Sequence, residues 1–237
     1  STATSQTSMS LQRAFHSSQV FGGYIYTLGG YLTSSSASCK NAGTSQYCND
    51  VIYSPISDDG TLGAWSTSSS YFNNPRANFA SAVYNGYIYI LGGNDASNTY
   101  NDVQYALICT SFNIGNGGCS GSTGVGTWQY TYNSSSTNIS NFVGGFGTAR
   151  KNHSVVQYGG YLYIIGGVNS SGAVLSDVQY AKINSDGTLG QWTSTTSLKD
   201  EYTTGTASQS GNTVTGSGTS WDSGAVGATI VFSTGES

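Results

Sequence analysis

The chain has 237 residues, of which only 8% are Asp, Glu, Lys or Arg, against about 25% in an ordinary soluble protein, and this excludes a coiled coil or a charged disordered segment. Seven basic residues against 11 acidic ones leave a net charge of -4, and no basic stripe of the kind that tracks phosphate backbones is present, so nucleic acid is excluded as a partner. The longest apolar runs, Tyr87 to Leu91 and Ala228 to Phe232, are far shorter than the roughly 20 residues of a membrane-spanning helix.

Taken in chain order, the same set of landmarks recurs three times. The first copy, about residues 13–65, carries Arg13, His16, Gly22-Gly23-Tyr24-Ile25-Tyr26-Thr27-Leu28-Gly29-Gly30, Asn49-Asp50-Val51-Ile52-Tyr53 and Asp59-Gly60-Thr61-Leu62-Gly63-Ala64-Trp65. The second, about 76–128, has Arg76, Tyr87-Ile88-Tyr89-Ile90-Leu91-Gly92-Gly93, Asn101-Asp102-Val103-Gln104-Tyr105 and Trp128. The third, about 150–192, has Arg150, His153, Tyr161-Leu162-Tyr163-Ile164-Ile165-Gly166-Gly167, Ser176-Asp177-Val178-Gln179-Tyr180 and Asp186-Gly187-Thr188-Leu189-Gly190-Gln191-Trp192.

Each copy implies four antiparallel strands. The Tyr-x-Tyr segment alternates with the period of a strand and ends at Gly-Gly. Asp-Val-x-Tyr begins another. The Asp-Gly-Thr-Leu-Gly stretch has hairpin-turn chemistry, because glycine tolerates positive φ, and a short strand follows near each Trp. The alternating residues after each Arg, such as Asn78 to Tyr84, supply the remaining one. Units of about 63 residues built this way are all-β and match propeller blades with lengthened loops.

Arg, then His or Phe, then Tyr-x-Tyr-x-x-Gly-Gly, Asp-Val-x-Tyr and Trp together resemble the kelch repeat. The resemblance covers residues 1 to about 200 and implies kelch-like β-propeller blades. Such propellers close with six or seven blades, so three form an incomplete ring. Residues Ser1 to Gln12 are similar to the Ser/Thr-rich stretch after Trp65, and the expectation is a piece of a longer propeller or a subunit that pools blades with others. The landmarks stop after Leu198, which sets a boundary near residue 202 and divides the chain into 1–202 and 203–237. The second part, through Ile230-Val231-Phe232, is similar to a short β module of phage tail and bacterial surface proteins and ends mid-module.

Cys39 and Cys48, and Cys109 and Cys119, lie nine and ten residues apart in sequence. Four cysteines allow three connectivities. Local pairing needs no long-range coincidence and would contribute about 2.5 to 3 kcal/mol per loop. Zinc is the competing reading, but no Cys-x-x-Cys spacing occurs. Disulfides imply an oxidising compartment. Acceptor triplets for N-glycosylation stand at Asn133, Asn138, Asn152 and Asn169, in a composition that generates them by chance.

Candidate catalytic groups begin with His16 and His153. Both fall at one repeat position, filled by Phe79 in the second copy, which points to packing. Arg13, Arg76 and Arg150 share another position and are expected to bond between blades. Asp50, Asp102 and Asp177 are expected to bond backbone amides, with calcium as the alternative. Trp65, Trp128 and Trp192 complete the structural set. Ser57-Asp58-Asp59-Gly60 resembles the sialidase turn with the wrong spacing. A copper oxidase of the galactose-oxidase type would need a Cys joined to Tyr, and the cysteines here are paired. No Gly-x-Ser-x-Gly elbow occurs. Neither a cofactor nor a metal is expected.

The remaining candidates are Tyr71, Tyr100, Tyr130 and Tyr132 in polar stretches, suited to stacking on sugars or anchoring proteins, and the two stapled loops, where recognition usually lives. The reading is an extracellular or cell-surface, non-enzymatic recognition or adhesion module binding a glycan or a surface protein. Its alternatives are a structural subunit forming a homo-oligomer, filament or sheath through blade edges, and a partial propeller enzyme acting on glycans.

Overall fold

In the computed structural model, the described residues are 8–9, 11–33, 39, 46–131, 145–195, 206–210 and 213–217. They contain strands and turns and no helix. Residues group into two compact units, Ser1–Leu198 and Lys199–Ser237. The division falls a few residues before the boundary expected from the loss of repeat landmarks.

The first unit holds three four-stranded antiparallel blades. In blade 1 the order is β2 (Ser17–Phe21), β3 (Tyr24–Leu32), β4 (Tyr47–Pro55) and β5 (Ser66–Thr67). Blade 2 repeats it with β6 (Ala80–Tyr84), β7 (Tyr87–Leu91), β8 (Val103–Leu107) and β9 (Gln129–Tyr130). Blade 3 uses β11 (Ser154–Tyr158), β12 (Tyr161–Ile165), β14 (Val178–Lys182) and β15 (Thr193–Ser194). Two short pairings lie beside them, β1 (Arg13–Ala14) on the end of β3, and β10 (Arg150–Lys151) on β13 (Val168–Asn169). The first strands are neighbours in space, since β6 packs against both β2 and β11. Among the described residues the three blades form an open arc, not a closed ring.

Register fixes what each face carries. Tyr89 pairs with Ala82 and Tyr105, and Ile88 pairs with Val83 and Ala106, so tyrosines and aliphatics go to opposite faces of one sheet. Blade 1 sets Tyr26, Leu28 and Val51 against Ile88, Ile90, Ala106 and Ile108 of blade 2. Blade 2 in turn sets Tyr89, Leu91, Val103 and Tyr105 against Leu162, Ile164, Ala181 and Ile183 of blade 3. The core is therefore two layers of blade-to-blade packing, built twice from the same sequence positions.

Phe72 and Phe146, four residues before Arg76 and Arg150, are fully buried. Phe72 meets Trp128 edge-on at 5.5 Å, and Phe146 meets Trp192 at 5.8 Å. Each also lies over the glycine pair of the preceding blade: a Cβ on Gly29 would stand 2.7 Å from Phe72, and one on Gly92 3.0 Å from Phe146. That close approach, with positive φ at both glycines, is why the Tyr-x-Tyr strand ends in Gly-Gly. These phenylalanines carry no repeat landmark in the sequence reading.

The described residues of the second unit form an antiparallel pair, β16 (Thr206–Ser210) and β17 (Thr213–Ser217), with Thr206 opposite Ser217 and Ser210 opposite Thr213. The rest of 203–237 lies outside the described residues, as do Tyr132, Asn133 and Asn138.

Candidate binding grooves around a stapled loop

Both cysteine pairs are bonded, Cys39 to Cys48 and Cys109 to Cys119, each with its Cα atoms 5.4 Å apart. The register puts them at opposite ends of the blades. Cys48 opens β4 opposite Gly30, at the end where β1 and the arginines lie. Cys109 follows β8 at the other end, where β2 turns into β3. The two disulfides thus stand at opposite ends of the blades, and residues 40–45 between Cys39 and Cys48 lie outside the described residues.

The loop from Cys109 to Cys119 is held by its own bonds. Thr110 N donates to Asn113 Oδ1 at 2.7 Å, Asn113 Nδ2 to the Ile108 carbonyl at 2.8 Å, and Gly115 N to the Cys119 carbonyl at 2.7 Å. Its cysteines are buried while Phe112, near its tip, is 97% exposed and Ile114 is exposed beside it. A fixed loop presenting a bare aromatic ring is unlike the scattered apolar exposure of ordinary surfaces.

A groove lies on each side of this loop. On the blade 1 side a cavity of about 410 Å³ is lined by Phe21, Gly22, Tyr24, Tyr26, Thr110, Ser111, Phe112, Ser122 and Thr123, together with Cys109. Its wall combines aromatic rings with hydroxyls and contains no charged residue. Burial, with neighbouring Tyr24 and Tyr53 adding to it, pushes the Tyr26 hydroxyl up to about 12, so it stays a neutral hydrogen-bonding group at physiological pH. On the blade 3 side a cavity of about 360 Å³ is lined by Tyr87, Tyr105, Leu107, Asn116, Gly117, Thr127, Gln129 and Asp186.

The arginines expected to bond between blades bind inside their own. Arg76 Nη1 donates to the Gly92 carbonyl at 3.0 Å, Nη2 to Asp102 Oδ2 at 2.9 Å, and Nε to the Asn74 carbonyl at 3.1 Å. Arg13 grips Asp50 through two bonds of 2.8 and 3.0 Å, and Arg150 grips Asp177 through two of 2.8 and 2.7 Å. The fork geometry of guanidinium matches a carboxylate, and a buried charge needs such a partner. At the arginine position the bonds between blades come instead from backbone: Arg76 N to the Cys48 carbonyl and Gly30 N to the Arg76 carbonyl, repeated at Arg150 and Gly93.

The aspartates accordingly accept first from guanidinium groups, with Gln104 Nε2 adding to Asp102 and Gln179 Nε2 to Asp177, a second correction to an expectation of backbone amides as the main donors. Arg150 foremost, against some burial, holds the Asp177 carboxyl below its usual range. Cys39, Cys48 and Asp50 stand close enough for metal ligation, but the sulfurs are bonded to each other and the carboxylate to Arg13.

His16 and His153 lie at the arginine end, away from both grooves. His153 is buried against Phe146, and a Cβ on Gly167 would stand 2.7 Å from its own Cβ. Burial, with the Arg150 charge adding and a backbone contact to Leu91 opposing, pushes its pKa down to about 4. Burial also lowers His16.

Of the tyrosines expected to be available, Tyr100 is not. It is buried, its ring lies 3.9 Å from the Arg76 guanidinium carbon, and its hydroxyl donates to Asp95. Tyr130 is half-buried on β9, and Tyr71 is 46% exposed. The described sequons differ: Asn152 is exposed with positive φ, while Asn169 Oδ1 accepts from Ser171 N at 3.0 Å and Ala173 N at 2.9 Å. The groove aromatics Phe21, Tyr24 and Phe112 went unnoticed in the sequence, because only the fold brings a blade 1 hairpin beside a blade 2 loop.

A family model described as "Kelch motif" matches residues 75–105 and 149–180. No curated protein sequence matches the chain. Among solved structures 160 chains match. One, titled "Structure of YjhT", has a TM-score of 0.51 at 15% identity, covering 78% of this chain and 52% of that one. The chain thus spans about half the length of that structure, and a likeness at this identity speaks to the fold. The matched residues coincide with the strands and Arg–Asp pairs of blades 2 and 3, and blade 1 repeats both. The chain thus carries kelch motifs and folds as blades of the kelch-type β-propeller.

Proposed function

We propose that the chain is an extracellular, non-enzymatic recognition or adhesion module that holds a glycan or surface protein in the groove beside the Cys109–Cys119 loop, with a neutral glycan the occupant best suited to it. One observation carries the reading: Phe112, 97% exposed on a loop fixed by a disulfide, faces an uncharged groove walled by Phe21, Tyr24 and four hydroxyl side chains. Rings that stack on sugar faces and hydroxyls that exchange hydrogen bonds with sugar hydroxyls are the chemistry of carbohydrate binding. The volume lies within the roughly 300–1,000 Å³ of small-molecule sites.

Two disulfides support the compartment, since they persist where the surroundings oxidise. The absence of carboxylate and imidazole from the groove lining supports binding over hydrolysis, which needs an acid and a base at the bond cleaved. The test is a titration of the intact chain with neutral hexose oligosaccharides, with sialylated ones as comparison, followed by calorimetry. Saturable binding to the neutral set that Phe112→Ala weakens roughly tenfold, the effect of losing one contact of about 1.4 kcal/mol, supports the proposal. Binding indifferent to that substitution, or no glycan bound, overturns it.

A further inference from the structure

Each internal blade junction seats an aliphatic face and its hairpin turn on a tyrosine face. At the blade 2–blade 3 junction the turn Asn184–Leu189 lies on Tyr87, Tyr89 and Tyr105. The Tyr89 hydroxyl donates to the Gly187 carbonyl at 2.9 Å, and a Cβ on Gly187 would come within 2.8 Å of the Tyr87 and Tyr105 rings.

Both halves of this junction recur at the outer blades, where no further blade is seated on them among the described residues. On blade 3 the tyrosine face carries Tyr161, Tyr163 and Tyr180, whose rings cluster 5.9 to 6.5 Å apart. Tyr163 pairs with Tyr180 as Tyr89 pairs with Tyr105. Val156 is 49% exposed where its counterpart Ala82 is 5% exposed. On blade 1 the aliphatic face has Ile52 and Thr27 buried at its centre, while Ile25, Ile56 and Leu62 are half-buried where their counterparts Ile88, Ile108 and Val125 are buried.

The turn on blade 1 is already in the docking shape. Ser57 N donates to the Thr61 carbonyl at 2.9 Å as Asn184 N does to Thr188 at 2.9 Å. Asp59 accepts from Thr61 N and Oγ1 at 3.0 and 2.6 Å, and Asp186 accepts from Thr188 at the same distances. Gly60 has φ +81 and Gly187 φ +85, yet nothing lies within 4 Å of where a Gly60 Cβ would be.

Charge makes the match directional. In the internal junction Leu107 and Asp186 line one groove. Blade 3 has Lys182 at the Leu107 position, opposite Tyr161 as Leu107 is opposite Tyr87. An incoming blade 1 would bring Asp59 to that lysine.

We propose that the tyrosine face of blade 3 is a docking surface for blade 1 of a second copy of this chain, with the Asp59-Gly60 turn seated on Tyr161, Tyr163 and Tyr180. This head-to-tail contact is heterologous. Two copies contribute six blades, within the range that closes propellers.

The experiment is light scattering coupled to chromatography on the 237-residue chain across a concentration series, with Gly60→Asn and Lys182→Glu variants. Asparagine tolerates positive φ, so the turn survives while its side chain fills the seat. The expected result is a mass rising toward twice the 24.6 kDa chain mass, a monomer for Gly60→Asn at an unchanged melting temperature, and weaker, salt-insensitive association for Lys182→Glu. A chain that stays monomeric overturns the proposal, as does association that Gly60→Asn leaves intact.

Discussion

The guanidinium carbon of Arg76 lies over the Tyr100 ring, 3.9 Å from its centroid, while its nitrogens hold Asp102 and the Gly92 carbonyl. Asp102 is 1% exposed, so the ion pair is sealed from water on the ring side and the strand side alike. Removing one charge leaves the other buried alone, which costs about 3–5 kcal/mol. Asp102→Asn is therefore expected to lower stability by that order in urea melts. Asp177→Asn is expected to cost less, because the Asp177 side chain is 30% exposed and water can solvate Arg150's lost partner from that side. Equal losses for the two would show that burial does not grade these pairs.

Acid is expected to destabilise the first unit in two windows. His153 has its pKa lowered from 6.5 to about 4, so its contribution is complete above pH 6.5, where it is neutral folded and unfolded. It is lost as pH falls from about 6.5 to 4, because the unfolded chain takes up the proton first. The shift corresponds to about 3 kcal/mol. The depressed Asp177 acts lower down: its stabilisation is present above the ordinary value of 3.8 and is lost as pH falls through the lower folded value. His153→Phe, which installs the residue that Phe79 provides in blade 2, should shrink the upper window to the part that the lowered His16 contributes and leave the lower one. The check is the melting temperature against pH for both proteins, and an unchanged slope between pH 6.5 and 4 would place the effect elsewhere.

The two disulfides should separate by function. Each closes a short loop, and each loss is expected to cost about 2–3 kcal/mol. Replacing Cys109 and Cys119 by serine should also release the loop that carries Phe112 and weaken the groove, while the same change at Cys39 and Cys48 leaves binding alone, since that pair lies at the other end of the blades. Calorimetric titration of both double variants with whichever neutral oligosaccharide binds decides it, and equal weakening by both would contradict the placement of the site.

The blade pattern was legible because period-2 alternation, Gly-Gly and Asp-Gly turns are local signals, and the repeat shows the first two three times and Asp-Gly twice. Arg76 and Asp102 were visible as repeat positions, but their mutual bond was not, since a sequence separation of 26 brings them to one strand end only after β7 and β8 pair. Tyr100 shows the opposite failure. Its polar neighbours suggest a loop surface, yet its ring is consumed by Arg76 and its hydroxyl by Asp95. The groove is illegible for a similar reason: Phe21 and Phe112 are 91 positions apart by their numbers, in different blades, and no periodicity links them.

Phe72 tests whether the unmarked segment before each arginine fastens neighbouring blades. Its ring is fully buried among Phe79, Trp128 and the backbone of Gly29, so it touches blade 1 and blade 2 together. Truncation to alanine removes most of a large buried side chain and leaves a cavity that the flanking strands cannot collapse into, at a cost of about 3–5 kcal/mol. Phe72→Leu keeps much of the volume and should cost less than half of that. Because the ring bridges blades, hydrogen exchange in Phe72→Ala should rise in β2 to β4 as well as in β6 to β8, whereas a ring that served blade 2 alone would leave the amides of Tyr26 and Leu28 protected.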